Sequence, residues 1–138
     1  MTKNLFAYGT LICQDIMLAV TGFSFRGVRG VLRDYHRGTI RGEVYPGIVP
    51  RRGEVVEGLV YRDLPEEAWK RLDAFEGEMY CRTDVGIEQA QTYVVRPEFE
   101  QRVGAAPCFK TDFSVNPFGA SCKGKKVRPN RFWTPARA

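Results

Sequence analysis

The stretch Pro65-Glu66-Glu67-Ala68-Trp69-Lys70-Arg71-Leu72-Asp73-Ala74-Phe75-Glu76-Gly77 organises the reading of the whole chain. Proline opens it where a missing N–H costs nothing, Glu66 and Glu67 sit beside the positive end of the dipole, and Gly77 stands just past the end. These signals agree on a helix from Pro65 to Glu76. Working outward, the pattern on both sides is β. Upstream, Gly27 to Arg33, Thr39 to Tyr45 and Val55 to Arg62 are β-branched and aromatic runs punctuated by glycine, with Tyr45-Pro46-Gly47 as a sharp break. Further upstream, Gln14 to Val20 has apolar residues at helical spacing and is stopped by Thr21-Gly22, while Asn4 to Tyr8 reads as a strand ended by Gly9. Downstream, Cys81 to Glu88 and Thr92 to Arg96 alternate as two strands joined around Glu88 to Gln91, and Arg96-Pro97 ends the hairpin. Strand, helix, several strands, helix, hairpin is an α+β order and not a doubly wound one.

The remaining composition narrows the class. With 138 residues, 43% apolar and 27% charged, the chain suits one soluble globular domain. The longest strictly apolar run is Ile16 to Val20, so no membrane span is expected, and no cleavage pattern follows Leu5 to Ile12. A cytoplasmic location is the expectation. Residues 1–100 carry 13 Lys and Arg against 15 Asp and Glu, a balance of −2; residues 101–138 carry 8 against 1, a balance of +7. The basic character therefore belongs to the C-terminal segment, where Phe109, Phe113, Phe118, Phe132 and Trp133 interleave with the charges. That pattern can track a nucleic-acid backbone, but a solvated tail or crossing segment is the simpler reading, and no zinc finger or RNA-recognition signature accompanies it. Cys13, Cys81, Cys108 and Cys122 are widely spaced, and His36 is the sole histidine, so free thiols and no metal centre are expected.

Two places invite chemistry. On a wheel at about 100° per residue with Trp69 at zero, Leu72, Ala68 and Phe75 cluster at roughly 240° to 300°. Glu76 falls near 340° on the same wheel, the one charged residue of the helix along the apolar stripe. A carboxylate against an apolar wall has its ionised form disfavoured and suits proton transfer near neutrality. The alternative is that the helix frays early and Glu76 reaches solvent beside Gly77. The second place is Tyr8-Gly9-Thr10-Leu11, where a strand turns into a helix and backbone N–H groups can face a carboxylate or an oxyanion. It lacks the further glycines and the lysine of a dinucleotide fingerprint or a P-loop.

The chain resembles the γ-glutamyl cyclotransferase superfamily, in the branch named after the plant avirulence-induced-gene proteins. The resemblance rests on Leu5-Phe6-Ala7-Tyr8-Gly9-Thr10-Leu11, Val44-Tyr45-Pro46-Gly47-Ile48-Val49-Pro50, Val56-Glu57-Gly58-Leu59-Val60-Tyr61, Leu72-Asp73-Ala74-Phe75-Glu76-Gly77 and Tyr80-Cys81-Arg82, in order over residues 4–99. It implies a small mixed β-barrel with flanking helices and one cavity. It places that domain at residues 1–100, with residues 101–138 as a basic segment of the same single domain. It implies substrate binding at Tyr8, Gly9, Thr10 and Leu11, and the catalytic glutamate at Glu76. Tyr80 is expected near the cavity or, alternatively, as a core tyrosine; Tyr45 and Pro46 as a structural turn first and a pocket edge second. No cofactor and no metal are implied.

The reaction implied is cofactor-independent. A γ-glutamyl compound attacks its own γ-carbonyl with its α-amine, closes the ring of 5-oxoproline and expels an amine or amino acid. The nucleophile belongs to the substrate, so no Ser–His–Asp or Cys–His pair is needed. The protein would supply the folded conformation, oxyanion donors and a proton carrier. Glutathione, γ-glutamyl amino acids and γ-glutamylamines all satisfy this pattern. A non-catalytic binding module on the same fold, and a nucleic-acid-associated protein acting through residues 123–137, are the competing expectations.

Overall fold

The computed structural model describes residues 3–41 and 46–104. The chain runs β1 (Lys3–Ala7), a 3-10 turn at Thr10–Ile12, α1 (Gln14–Thr21), β2 (Gly27–Thr39), β3 (Pro46–Leu64), α2 (Glu66–Glu76), β4 (Tyr80–Asp84), β5 (Ala90–Val95) and a second 3-10 turn at Pro97–Arg102. The class is α+β, as expected. The five strands form one sheet in the order β2-β3-β1-β5-β4. All neighbours are antiparallel except β1 and β5, which run parallel. The two edge strands do not meet, so the sheet is open and the term barrel describes it only loosely.

Alternation along the strands sorts their side chains between two clusters. Leu5, Ala7, Tyr61, Leu64, Tyr93 and Val95 pack with Ile16, Met17 and Val20 of α1 and Ala68, Trp69 and Leu72 of α2. Phe6, Tyr8, Leu32, Ile48, Val56, Val60 and Val94 form the second cluster. Strand β1, paired on both sides, contributes to both. Its end therefore delivers Tyr8 and the following turn to a fixed place.

β2 and β3 make one long hairpin, and here the structure corrects the sequence reading. Gly27 to Arg33 is not a separate strand; β2 continues through a bulge to Thr39. At that bulge Asp34 has φ 66° and Gly53 has φ 89°, and the Gly53 N–H donates to Asp34 Oδ1 at 2.9 Å. The expected strand Thr39 to Tyr45 contributes only Thr39 to β2, and residues 42–45 lie outside the described ones. Nor do Pro46 and Gly47 break a strand: they open β3, opposite Thr39 and Gly38. Proline is tolerated as the first strand residue because no donor is required of it there. The polar groups of Thr39 turn the other way, its carbonyl accepting the Gly104 N–H at 2.9 Å.

Residues 35–39 and 46–50 thus form an arm beyond the bulge, lying against β5. A Cβ at Gly47 would stand 2.4 Å from Val95 Cγ2, so only glycine permits this approach. The C-terminal end of the described chain holds the arm from outside. Arg41 N–H donates to the Arg102 carbonyl at 2.7 Å, and Ile40 bridges Val103. His36, buried, puts Nδ1 2.8 Å from Glu54 Oε1 and Nε2 2.7 Å from the Gly104 carbonyl. Of the cysteines, Cys81 is a free exposed thiol. Cys13 is disulfide-bonded, which departs from the expectation of free thiols.

Among the described residues no helix is long and apolar enough to cross a membrane.

Candidate active site

Three pieces of chain converge at the end of β1. The first is the turn itself. Its hydrogen bonds run from Ile12 N to the Gly9 carbonyl at 3.0 Å and from Cys13 N to the Thr10 carbonyl at 3.2 Å. A first turn leaves its leading amides without intrahelical partners, here those of Thr10 and Leu11. The Tyr61 hydroxyl donates to the Leu11 carbonyl at 2.8 Å, with the Ile12 carbonyl at 3.2 Å. The carbonyl side of the turn is thereby fixed. Leu11 is buried, while Gly9 and Thr10 are half-buried.

The second piece is the root of the arm. A Cβ at Gly9 would lie 3.0 Å from Pro46 Cγ, so glycine lets the proline ring close over the turn. The Tyr80 hydroxyl donates to the Pro46 carbonyl at 3.0 Å, and Tyr80 itself is buried. Tyr80 therefore stands in the core, as one of its two alternatives had it, and its hydroxyl holds the Pro46 carbonyl. Pro46 packs on Gly9 at the start of β3.

The third piece is the end of α2. The helix runs to Glu76, and the Gly77 N–H closes it on the Asp73 carbonyl at 3.1 Å. It does not fray before Glu76. Glu76 is half-buried, and burial, aided by the charge of Asp73, pushes its carboxyl up to about 8. Its charge is felt at two hydroxyls. Tyr8 is raised well above the ordinary tyrosine value by burial first and Glu76 second, opposed by the Ile48 amide and Arg37. Tyr93 is raised by burial, by its hydrogen bond to Asp73, and by the charges of Asp73 and Glu76. The Tyr8 hydroxyl donates to the Tyr93 carbonyl at 2.6 Å, which ties the start of the turn to β5.

Several neighbours were given no role at the site by the sequence reading. Tyr93 donates to Asp73 Oδ1 at 2.7 Å, and Arg82 Nη1 lies 3.6 Å from Asp73 Oδ2 with its guanidinium 4.7 Å from the centre of the Trp69 ring. From β2, Arg37 Nη1 donates to the Tyr8 carbonyl at 2.7 Å. The signal for Asp73 was present, one turn before Glu76 in the same helix, but the wheel assigns it to the polar arc. Nothing local in sequence marks Tyr93, Arg37 or Tyr61, because their roles depend on which strands become neighbours.

Residues 5–111 match the family model described as gamma-glutamyl cyclotransferase, AIG2-like. Among curated proteins of Arabidopsis thaliana, AIG2-like protein D is 31% identical over 84 residues, which is 61% of this chain and 55% of that protein. AIG2-like protein C is 31% identical over 99 residues, covering 66% and 58%. The chain spans little more than half the length of these relatives. A solution structure from Arabidopsis thaliana superposes with TM-score 0.72 at 23% identity, over 90% of this chain and 79% of the other. A solved gamma-glutamyl cyclotransferase gives TM-score 0.59 at 17% identity, over 99% and 94%. These structural likenesses speak for the fold, and the family match covers most of the chain from the turn after β1 through the end of α2 and beyond. The chain belongs to the AIG2-like gamma-glutamyl cyclotransferase family.

Proposed function

We propose that the chain is a γ-glutamyl cyclotransferase that releases 5-oxoproline from a γ-glutamyl amino acid or γ-glutamylamine, with Glu76 as general acid and base. The observation that carries this reading is a half-buried carboxyl at the end of α2, pushed up to about 8, whose charge reaches the Tyr8 hydroxyl at the start of the Tyr8–Leu11 turn. Glu76 takes a proton from the substrate's α-ammonium. The freed nitrogen attacks the γ-carbonyl carbon, and the negative charge that gathers on its oxygen meets the amides of Thr10 and Leu11. As the tetrahedral carbon collapses, Glu76 gives that proton to the departing nitrogen and takes the second proton from the ring nitrogen, which the departing amine then carries away as its ammonium, leaving 5-oxoproline and an ionised Glu76. Tyr80 and Pro46 shape the edge that keeps the substrate folded, an orientation effect worth several kcal/mol in such cyclisations. No water, metal or cofactor enters this balance.

The test is direct detection of 5-oxoproline after incubating the wild type and Glu76→Gln with glutathione, γ-glutamyl amino acids and γ-glutamyl-ε-lysine. Glu76→Gln is expected to lower turnover about 10²- to 10⁴-fold while leaving binding largely intact. The responding compound identifies the leaving group. A folded wild type that binds a panel member but makes no product would instead be a small-molecule binding module.

A further inference from the structure

β1 stays paired with β3 through Ala7, which stands opposite Leu59. The two backbones are close there, since a Cβ at Gly58 would strike the Ala7 carbonyl oxygen. Carried on in the same register, Tyr8 would face Gly58 and Gly9 would face Glu57, but the pairing ends at Ala7. At that point a guanidinium takes over. Arg37 lies on β2 opposite Ile48, and β3 stands between β2 and β1, so its half-buried side chain reaches across β3. Its Nη1 donates to the Tyr8 carbonyl at 2.7 Å and lies 3.4 Å from the Glu57 carbonyl. These are carbonyls of the two chains that have just separated. We propose that Arg37 is a positioning residue, which parts β1 from β3 after Ala7 and fixes the Tyr8–Gly9 peptide at the head of the Tyr8–Leu11 turn.

A peptide unit is planar and trans, so holding its oxygen also sets its N–H. With the Tyr8 carbonyl turned onto Arg37, the Gly9 N–H is directed away from Arg37, and the chain leaves the sheet in one fixed direction. The bond is charge-assisted, and it falls where the strand ladder no longer secures the backbone. The side chain of Tyr8 is held separately, by its hydroxyl on the Tyr93 carbonyl. Arg37 does not act through that phenol. Its charge lowers the group, while burial and Glu76 raise it well above the ordinary value, so losing Arg37 leaves the phenol neutral. The effect runs through the backbone to the amides that follow, those of Thr10 and Leu11. The inference rests on the reading of this turn as the place where the substrate's oxyanion is met, and it deepens that reading by naming what aims the turn.

The experiment compares the full chain with Arg37→Met, which keeps an apolar stem and removes the donor. Triple-resonance NMR is run beside steady-state kinetics on the γ-glutamyl compound that the wild type turns over. The Tyr8 carbonyl-carbon and Gly9 amide signals are expected to move, while the amides of Leu5 and Phe6 stay in place. kcat is expected to fall about 10- to 100-fold with KM changed by less than about threefold, because misaimed turn donors are missed chiefly in the transition state. Wild-type positions for both signals in the folded variant overturn the proposal. A lower melting temperature with kcat unchanged marks a merely structural bond and overturns it too, as does a loss in KM alone, which marks a binding contact. Arg37→Lys, whose shorter stem holds its donor farther from Tyr8, is expected to show the same changes in smaller measure, and it decides in the same way if Arg37→Met does not fold. If the wild type turns over no compound of the panel, the cyclotransferase reading fails by itself, and the two NMR signals still decide whether Arg37 holds the turn.

Discussion

Glu76 carries opposite consequences for chemistry and for stability. Burial raises its carboxyl from 4.5 to about 8, so the folded chain binds this proton more tightly than the unfolded chain does. The stabilisation from holding the proton is fully present below about pH 4.5 and is lost as pH rises through about 8. Glutamine has the same shape and no such term. Glu76→Gln is therefore expected to match the wild type in melting temperature near pH 4.5, and to exceed it increasingly toward pH 9. At the upper end the difference is on the order of a few kcal/mol. Thermal melts of both proteins across that range measure it, and parallel curves would show that the carboxylate is solvated. Glu76 was legible from its angle on the helical wheel together with the motif around it. The direction of its shift was legible too, because burial is the larger cause; the further push from Asp73 was not, because the same wheel turns Asp73 away from the apolar stripe.

At the scale of elements, the folded β2–β3 hairpin is what turns a sheet into a site. The bulge at Asp34 and Gly53 bends it, Gly47 lets the arm lie on Val95, and Pro46 then reaches Gly9 and Tyr80. His36 secures the arm to Glu54 on one side and to Gly104 on the other. Replacing His36 by Ala deletes two hydrogen bonds and leaves a cavity beneath the arm. A loss of about 2–4 kcal/mol is expected in denaturant unfolding. A loss below about half a kcal/mol would mean that the arm is held by its β pairing alone. Little of this hairpin was readable in advance. The β-branched runs Gly27 to Arg33 and Val55 to Arg62 were legible as strands, but Tyr45-Pro46-Gly47 looked like a break because turn chemistry and strand-opening proline share the same residues. The α2 helix shows the opposite case: proline, acidic first turn and terminal glycine are local signals, and the helix lies at Glu66–Glu76 as they require.

For the whole molecule, the path of the chain after β5 matters as much as the sheet. The turn Pro97–Arg102 brings Arg102, Val103 and Gly104 back to the arm formed far earlier in sequence. Replacing Gly104 by Pro removes the N–H that bonds the Thr39 carbonyl and loosens that clasp, at a place remote from Glu76 and the Tyr8–Leu11 turn. Hydrogen exchange is then expected to quicken at residues 35–40 and 46–50, while β1 and β5 keep their protection. Equal quickening throughout would show that the clasp stabilises the entire fold. The α+β class was visible in the order of elements, and the family in five ordered motifs. Closure of the sheet was not, because it depends on whether β2 and β4 meet, and no short-range pattern in either strand speaks to that.

The order β2-β3-β1-β5-β4 also places the strand that feeds the Tyr8–Leu11 turn as far as possible from both free edges. Anything joined to the outer side of β4 is separated from β1 by β4 and β5, and on the β2 side by β2 and β3. A fold so arranged can accept added sequence at its margins without redrawing the place where a substrate would bind. For protein engineering, the rims are where a tether or fused partner belongs; the middle strand is where substrate preference would have to be rewritten.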